Sequence, residues 1–280
     1  MLVDLIRDAI DARVGPDTGL VLSGGLDSST VTALAPDLPC FTGYYDLPGF
    51  DERHYARLVS RGTHHFILIS PQDFVDHFDA MAAHAKPPIQ GMGTFGQFMV
   101  AKYVSEQGIE IALSGEGADE LFGGYARTLV AAQERLPEGY ENYQPPLDYP
   151  VDDLQAALDY DFDHLPDLLA VDDAMCAAWG IEAVAPFTDH RVVDYALSLP
   201  PEERVGKRHL RKAVRGIVPD AIIDRTDKMG FPAPYALWAQ QEPVRSFVLD
   251  RIGYLPDPKT PWNRDWWYDL VHTTQSAVAA

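Results

Sequence analysis

Two short stretches of the chain carry residue types that could do chemistry together. The first, Ser23-Gly24-Gly25-Leu26-Asp27-Ser28-Ser29, follows the apolar run Leu20-Val21-Leu22. A strand feeding a glycine-rich turn and a helix start is an anion-binding device. Gly24 and Gly25 let the backbone approach a phosphate, and free N–H groups, helped by the hydroxyls of Ser23, Ser28 and Ser29, can donate to its oxygens. The stretch has neither the lysine nor the spacing of a Walker A loop, and it is not GxGxxG. The second stretch is Ser114-Gly115-Glu116-Gly117-Ala118-Asp119-Glu120-Leu121-Phe122-Gly123-Gly124-Tyr125, opening directly off the strand-like run at 109–113. The carboxylates of Glu116, Asp119 and Glu120 would repel a neighbouring phosphate unless a cation intervened. Oxygen-ligand chemistry suits Mg²⁺, which commonly takes one or two carboxylates plus substrate phosphates.

Such loops must be presented side by side, and the first half of the chain supplies the means. Short apolar strand candidates lie at 19–23, 40–45, 65–69 and 109–113, with helical stretches near 27–35, 51–60, 72–84 and 94–107. This alternation predicts an α/β fold with a doubly wound parallel sheet, its ligands outside the C-terminal strand ends where both loops fall. A proline- and tyrosine-rich surface excursion follows at 137–150, and helical segments dominate beyond it, near 151–159, 166–180, 190–198, 207–217, 232–240 and 242–251. The chain reads as one unit over 1–280, with a nucleotide-binding α/β part at 1–127 and a mainly helical part at 128–280. The tail from Ser276 is expected to fray.

Composition narrows the classes. A formal net charge of −20 argues against a nucleic-acid partner. No apolar run reaches membrane-spanning length and the amphipathic N-terminus is no signal peptide, so the cytoplasm is the expected compartment. Cys40 and Cys176 sit among apolar residues outside any metal spacing and read as reduced, buried thiols.

The first stretch resembles the PP-loop of the ATP pyrophosphatases, which split ATP between its α- and β-phosphates. Taken with residues 114–125, it is similar to the synthetase domain of asparagine synthetase B and its relatives, including the β-lactam synthetases. Further matches are Phe50-Asp51-Glu52 with Tyr55-Ala56-Arg57, Gly62-Thr63-His64-His65, and Pro186-Phe187-Thr188-Asp189-His190-Arg191. Leu210-Arg211-Lys212-Ala213, Asp224-Arg225, Lys228-Met229-Gly230-Phe231, Pro234 and Trp238 resemble the family's C-terminal signature, so the likeness covers roughly residues 15–240.

The resemblance implies ATP and Mg²⁺ as cofactors. Asp27 and Asp119 would hold the metal, and Ser23, Gly24, Gly25, Ser28 and Ser29 the pyrophosphate portion. Val21 or Leu22, Thr42 and Ser114-Gly115 would contact the adenosine. Lys228 corresponds to the family's active-site lysine, stabilising charge on the α-phosphate as a substrate carboxylate attacks. An amine then displaces AMP from the acyl-adenylate. Glu116 stands where asparagine-synthetase-like sequences carry the glutamate that handles the incoming ammonia's proton, and where β-lactam synthetases carry tyrosine. That favours intermolecular amidation over ring closure.

Several departures shape the expectation. Leu2 stands where a glutaminase-bearing relative has its catalytic cysteine, so nitrogen is expected from free ammonia, another amine or a separate glutaminase chain. Ala85-Lys86-Pro87-Pro88 replaces an acidic element, Val184 an arginine, and Thr188 a leucine. Losing the arginine removes a carboxylate clamp, leaving aspartate one candidate among small-molecule carboxylates. The rival readings are a specialised condensing ligase or cyclase, and a nucleotide-binding subunit that serves a separate glutaminase or has lost catalysis. Other residues carry plainer readings. Glu120 is either a metal ligand or a complement to a helix dipole. His64 and His65, on opposite faces of a strand, are structural. The stripe Arg208, Arg211, Lys212 and Arg215 is expected to pair with surface carboxylates. Trp262, Trp266, Trp267 and Tyr268 are expected to pack on the core, with a homodimer surface as the alternative.

Overall fold

The computed structural model describes residues 1–86, 91–137, 140, 143–226, 233–259 and 264–278. Five strands, β1 (Thr18–Val21), β2 (Cys40–Tyr44), β3 (His64–Leu68), β4 (Ile111–Leu113) and β5 (Glu182–Val184), form one parallel sheet in the order β3-β2-β1-β4-β5. The α/β class expected from the alternation is therefore observed. The chain winds outward from β1 through β2 to β3, then returns to place β4 on the other side of β1. The strand order thus reverses between β1 and β4, where the two chemical loops emerge and where open α/β sheets bind ligands. β5 is new to the sequence reading, and it joins the sheet from beyond residue 128.

Each face of the sheet is buried, as parallel strands require. On one face Leu20, Leu22 and Leu113 pack with Leu2 and Ile6 of α1 (Leu2–Asp11), Leu26 and Val31 of α2 (Leu26–Leu34), and Ala56 and Val59 of α3 (Arg53–Val59). On the other, Phe41, Ile67 and Ala112 pack against α4 (Pro71–His84) and α5 (Gly93–Glu106). A capping box fixes the start of α4, with Ser70 and Asp73 satisfying each other's backbone N–H groups and Pro71 in the first turn. It delivers Phe74 and Phe78, one turn apart and fully buried, each stabilising the core by roughly 2–3 kcal/mol.

Short helices α6 (Ala118–Phe122) and α7 (Ala126–Ala131) follow β4, and α8 (Leu154–Asp163) and α9 (Leu165–Ala177) lead to β5. The excursion before α8 is tied down at its end. The Tyr149 hydroxyl donates to Asp161 Oδ2 at 3.0 Å, and Arg127 Nε and the Thr128 hydroxyl each reach the same carboxylate at 2.6 Å. The final helix, Asp265–Val278, buries Trp266 and Trp267 in the core beneath α4, so these aromatics pack inward as expected. Trp262 lies outside the described residues. The helix runs past Ser276, where fraying was expected. No helix among the described residues is long and apolar enough to cross a membrane.

Candidate active site

The loop after β1 is organised by its own hydroxyls. Ser28 Oγ accepts the Ser23 N–H at 3.2 Å and lies 3.0 Å from Ser23 Oγ, while Ser23 Oγ accepts the Gly25 N–H at 3.3 Å. Gly24 turns the chain with φ +80°, and Gly25 caps α2. The loop after β4 then dovetails into this turn. A Cβ on Gly115 would stand 2.5 Å from Ser28 N and 2.7 Å from the Asp27 carbonyl carbon, so only glycine permits the approach.

This contact brings Asp27, in the first turn of α2, alongside Asp119, in the first turn of α6. Between them sits a residue the sequence reading passed over. Lys207 is buried, and its Nζ lies 2.6 Å from Asp27 Oδ2 and 2.7 Å from Asp119 Oδ1. Burial works against the Lys207 charge, but Asp119 and Asp27 hold its pKa above the ordinary lysine range. One ammonium serving two carboxylates leaves the pair short of positive charge. Burial accordingly keeps Asp27 above the usual carboxylate range in spite of Lys207, and Asp27 Oδ1 has no hydrogen-bond partner among the described residues. Gly124 makes the room, since a Cβ there would fall 1.8 Å from Asp119 Oδ1 and 2.2 Å from Lys207 Cε.

These groups line a cleft of about 820 Å³. Among the residues named from sequence, Val21, Leu22, Ser23, Gly25, Asp27, Ser28, Ser114, Gly115, Glu116 and Asp119 all line it. Gly24 and Ser29 lie outside the lining, Ser29 with a buried hydroxyl that has no partner among the described residues. Thr42 is not brought into the lining: its hydroxyl donates to the Leu22 carbonyl and meets His64 Nε2 at 2.8 Å, while its neighbours Phe41 and Gly43 face the cleft. Lys228 falls outside the described residues. His65 stacks on Phe41, so both histidines serve packing as expected. The basic stripe divides: Arg208 pairs with Glu134 and Arg215 with Asp220 and Asp224, whereas Arg211 lines the cleft and donates to the Gly206 and Ile223 carbonyls.

The cleft carries both signs of charge. Arg135, Lys207, Arg211 and Arg225 are the cations of its described lining; Arg225 is stacked 3.9 Å from the centre of the Tyr55 ring and paired with Glu52. Asp172 of α9 lines it as well, near the acidic loop after β4. Glu116 is held well above the usual carboxylate range by burial and then by Asp172, Glu120, Asp119 and Asp27. Glu120 is pushed up to about 7 by burial and Asp119, although the Tyr125 hydroxyl donates to it.

Does this arrangement fit Mg²⁺? Two carboxylates converge on a single point of positive charge, and one of their oxygens is buried without a partner among the described residues. No cluster of three or more His, Cys, Asp or Glu ligands gathers among the described residues. A pair of carboxylates open toward a phosphate cradle is a donor set Mg²⁺ uses, because it keeps waters and substrate phosphates as its remaining ligands.

Residues 1–264 match the asparagine synthase family. The chain belongs to that family. It is 26% identical to asparagine synthetase 1 (glutamine-hydrolysing) of Bacillus subtilis strain 168 over 85% of this chain and 50% of that protein. Identity is also 26% to the glutamine-hydrolysing asparagine synthetase B of Escherichia coli K12, over 89% of this chain and 44% of that one. The asparagine synthetase of Zea mays is again 26% identical, over 90% and 43%. The chain thus spans half or less of the length of these relatives. Val184 ends β5, and its carbonyl accepts the Ser114 N–H at 2.9 Å, tying that strand to the loop after β4.

Proposed function

We propose that this chain is an ATP- and Mg²⁺-dependent carbon–nitrogen ligase that adenylates a small-molecule carboxylate and transfers ammonia or another amine to it. The observation that carries this reading is the Asp27–Lys207–Asp119 bridge between the two loops, with Glu116 beside it. The hydroxyls and N–H groups of Ser23–Ser28 would receive the β- and γ-phosphates, and Asp27 and Asp119 would hold Mg²⁺. The ion's chemistry there would be neutralisation of phosphate charge. Lys207 and Arg211 would add fixed cations on the same side, where negative charge gathers as pyrophosphate departs. A carboxylate oxygen of the acid bonds to the α-phosphorus as the bond to the pyrophosphate oxygen breaks. The amine nitrogen then bonds to the acyl carbon, and AMP leaves with the electron pair. Glu116 would take the proton that the nitrogen sheds. Its burial and acidic neighbours raise its proton affinity, which suits a base working near neutral pH. The nitrogen would come from free ammonia, an amine or a glutaminase chain.

The test is pyrophosphate release from ATP across a panel of carboxylic acids with ¹⁵N-ammonium. Acid-dependent pyrophosphate and a labelled amide are expected. ATP consumed to ADP and phosphate, with no acid dependence, overturns the reading. A product formed without the label, from an acid carrying its own amine, would instead favour the condensing or cyclising rival.

A further inference from the structure

Arg204 carries a charge that packing alone does not explain. It ends the short helix Pro201–Arg204, its exposure is only 1%, and no carboxylate lies within ion-pair distance of it among the described residues. Asp161 of α8 is already taken by Arg127, Thr128 and Tyr149. Arg204 Nε donates to the Leu121 carbonyl at 2.8 Å, and its Nη2 is buried with no partner among the described residues. Burial works against the charge, and Asp159 and Asp161 oppose that only from outside ion-pair distance. Holding a buried guanidinium on a single such hydrogen bond is costly, and a chain that needed only packing there would carry an apolar residue.

What Arg204 touches is the C-terminal end of α6, the helix whose first turn carries Asp119. Five residues make no stable helix on their own, so the bearing of that turn depends on what holds the last carbonyls. The segment 204–207 holds them. Beside the Arg204 bond, the Gly206 N–H donates to the Gly123 carbonyl at 2.8 Å, and Lys207 Nζ lies 2.7 Å from Asp119 Oδ1. The approach is close, since a Cβ on Gly123 would stand 3.0 Å from Val205 Cα. A cation at a helix C-terminus also opposes the partial negative charge gathered there.

We propose that Arg204 is a positioning residue, whose buried guanidinium clamps the C-terminal end of α6 and so sets Asp119, in the first turn of that helix, for the metal. The same clasp carries Lys207 to the Asp27–Asp119 pair. It rests on the reading that Asp27 and Asp119 hold Mg²⁺. Arg204 does not line the cleft, so it acts only through α6 and through the turn that follows it in sequence.

The experiment is calorimetric binding of the non-cleavable α,β-methylene-ATP to the full chain, once as its Mn²⁺ complex and once in EDTA without metal. Arg204→Met should weaken the Mn²⁺ complex by about fivefold or more, approaching the roughly tenfold seen when an outer partner of a metal ligand is lost. Affinity for the metal-free nucleotide should change by less than about twofold, since the loop after β1 that cradles phosphate is not what Arg204 holds. Arg204→Lys, whose ammonium can donate to the same carbonyl, should recover most of the loss, with urea midpoints certifying that each variant is folded. Should Arg204→Met fail to fold, Arg204→Gln is read in the same way. In an Asp119→Asn background Arg204→Met should cost the Mn²⁺ complex nothing further, because the residue it positions is gone. A lowered urea midpoint with an unchanged preference for the Mn²⁺ complex marks Arg204 as purely structural and overturns the proposal, as does an equal loss with and without metal. If Asp119→Asn alone binds the Mn²⁺ complex as the wild type does, the metal assignment fails and takes the positioning role with it. If Asp119→Asn loses that affinity while Arg204→Met keeps it, only the positioning role fails.

Discussion

Replacing Lys207 by methionine tests the electrostatic heart of the site. The side chain keeps its length and its apolar stem but withdraws the ammonium from between two carboxylates at 2.6 and 2.7 Å. Side-chain exposures of 9% for Lys207 and 19% for Asp27 place that half of the bridge in a poorly solvated setting, while Asp119, at 35%, is partly screened. Removing one partner of a buried pair costs about 3–5 kcal/mol, and screening at Asp119 puts the expected loss near the bottom of that range, about 3 kcal/mol. Urea unfolding at neutral pH in EDTA should show this loss as a lower midpoint with an unchanged slope. Adding Mg²⁺ should restore about half of it or more, since the divalent ion can take the place of the missing charge and binds only the folded pair. The wild type, whose bridge is already neutralised in part, should gain less. A loss below about 1 kcal/mol would show that the bridge is not the buried contact its distances describe. A full loss that Mg²⁺ leaves untouched would refute the assignment of Asp27 and Asp119 to the metal.

Three further outcomes follow from the same geometry. In the wild type Asp172 binds its proton more tightly folded than unfolded, from 3.8 up to about 6, so this group's contribution to stability falls as pH rises through that window. Asp172→Asn should therefore be more stable than the wild type by up to about 3 kcal/mol at pH 7.5 and by almost nothing below pH 4, as read by urea titration at both values; an equal difference at both contradicts it. Gly115→Ala drives a Cβ into the backbone at Ser28 and Asp27, which cannot swing aside, and should cost about 2–3 kcal/mol together with a measurable loss of ATP affinity by calorimetry. Glu116→Gln should retain acid-dependent pyrophosphate exchange while amide formation falls by about a hundredfold or more; equal loss of both steps would place Glu116 in the first step instead.

The parts legible in sequence are those whose logic is local. A strand, a serine-glycine turn and a helix start lie within a dozen residues, and their hydrogen bonds close among Ser23, Gly25 and Ser28. Lys207 is different: it meets Asp27 across 180 residues of chain, and its placement depends on its own left-handed backbone and that of Gly206, just before a basic stripe that looked like surface. A Gly-Lys break at the head of a basic helix was the available signal. β5 escaped because three residues beginning with an exposed glutamate make no apolar run. Thr42 shows the limit of carrying a contact over by position, since the alternation along β2 turns Phe41 and Gly43 to the cleft and Thr42 to Leu22 and His64. Asp172 was hidden in an Asp-Asp pair that reads as a solvated helix face until the packing of α9 against α5 turns one member inward.

The fit of Gly115 against Ser28 and Asp27 has a consequence for anyone recombining such proteins. The two loops come from strands separated by 89 residues of intervening chain, yet they cannot be inherited independently. A chimera that takes its first loop from one parent and its second from another joins backbones never shaped to each other, and any donor with a side chain at position 115 will hold them apart. Crossovers placed before β1 and after α6 keep the two loops together; a crossover between β2 and β4 does not.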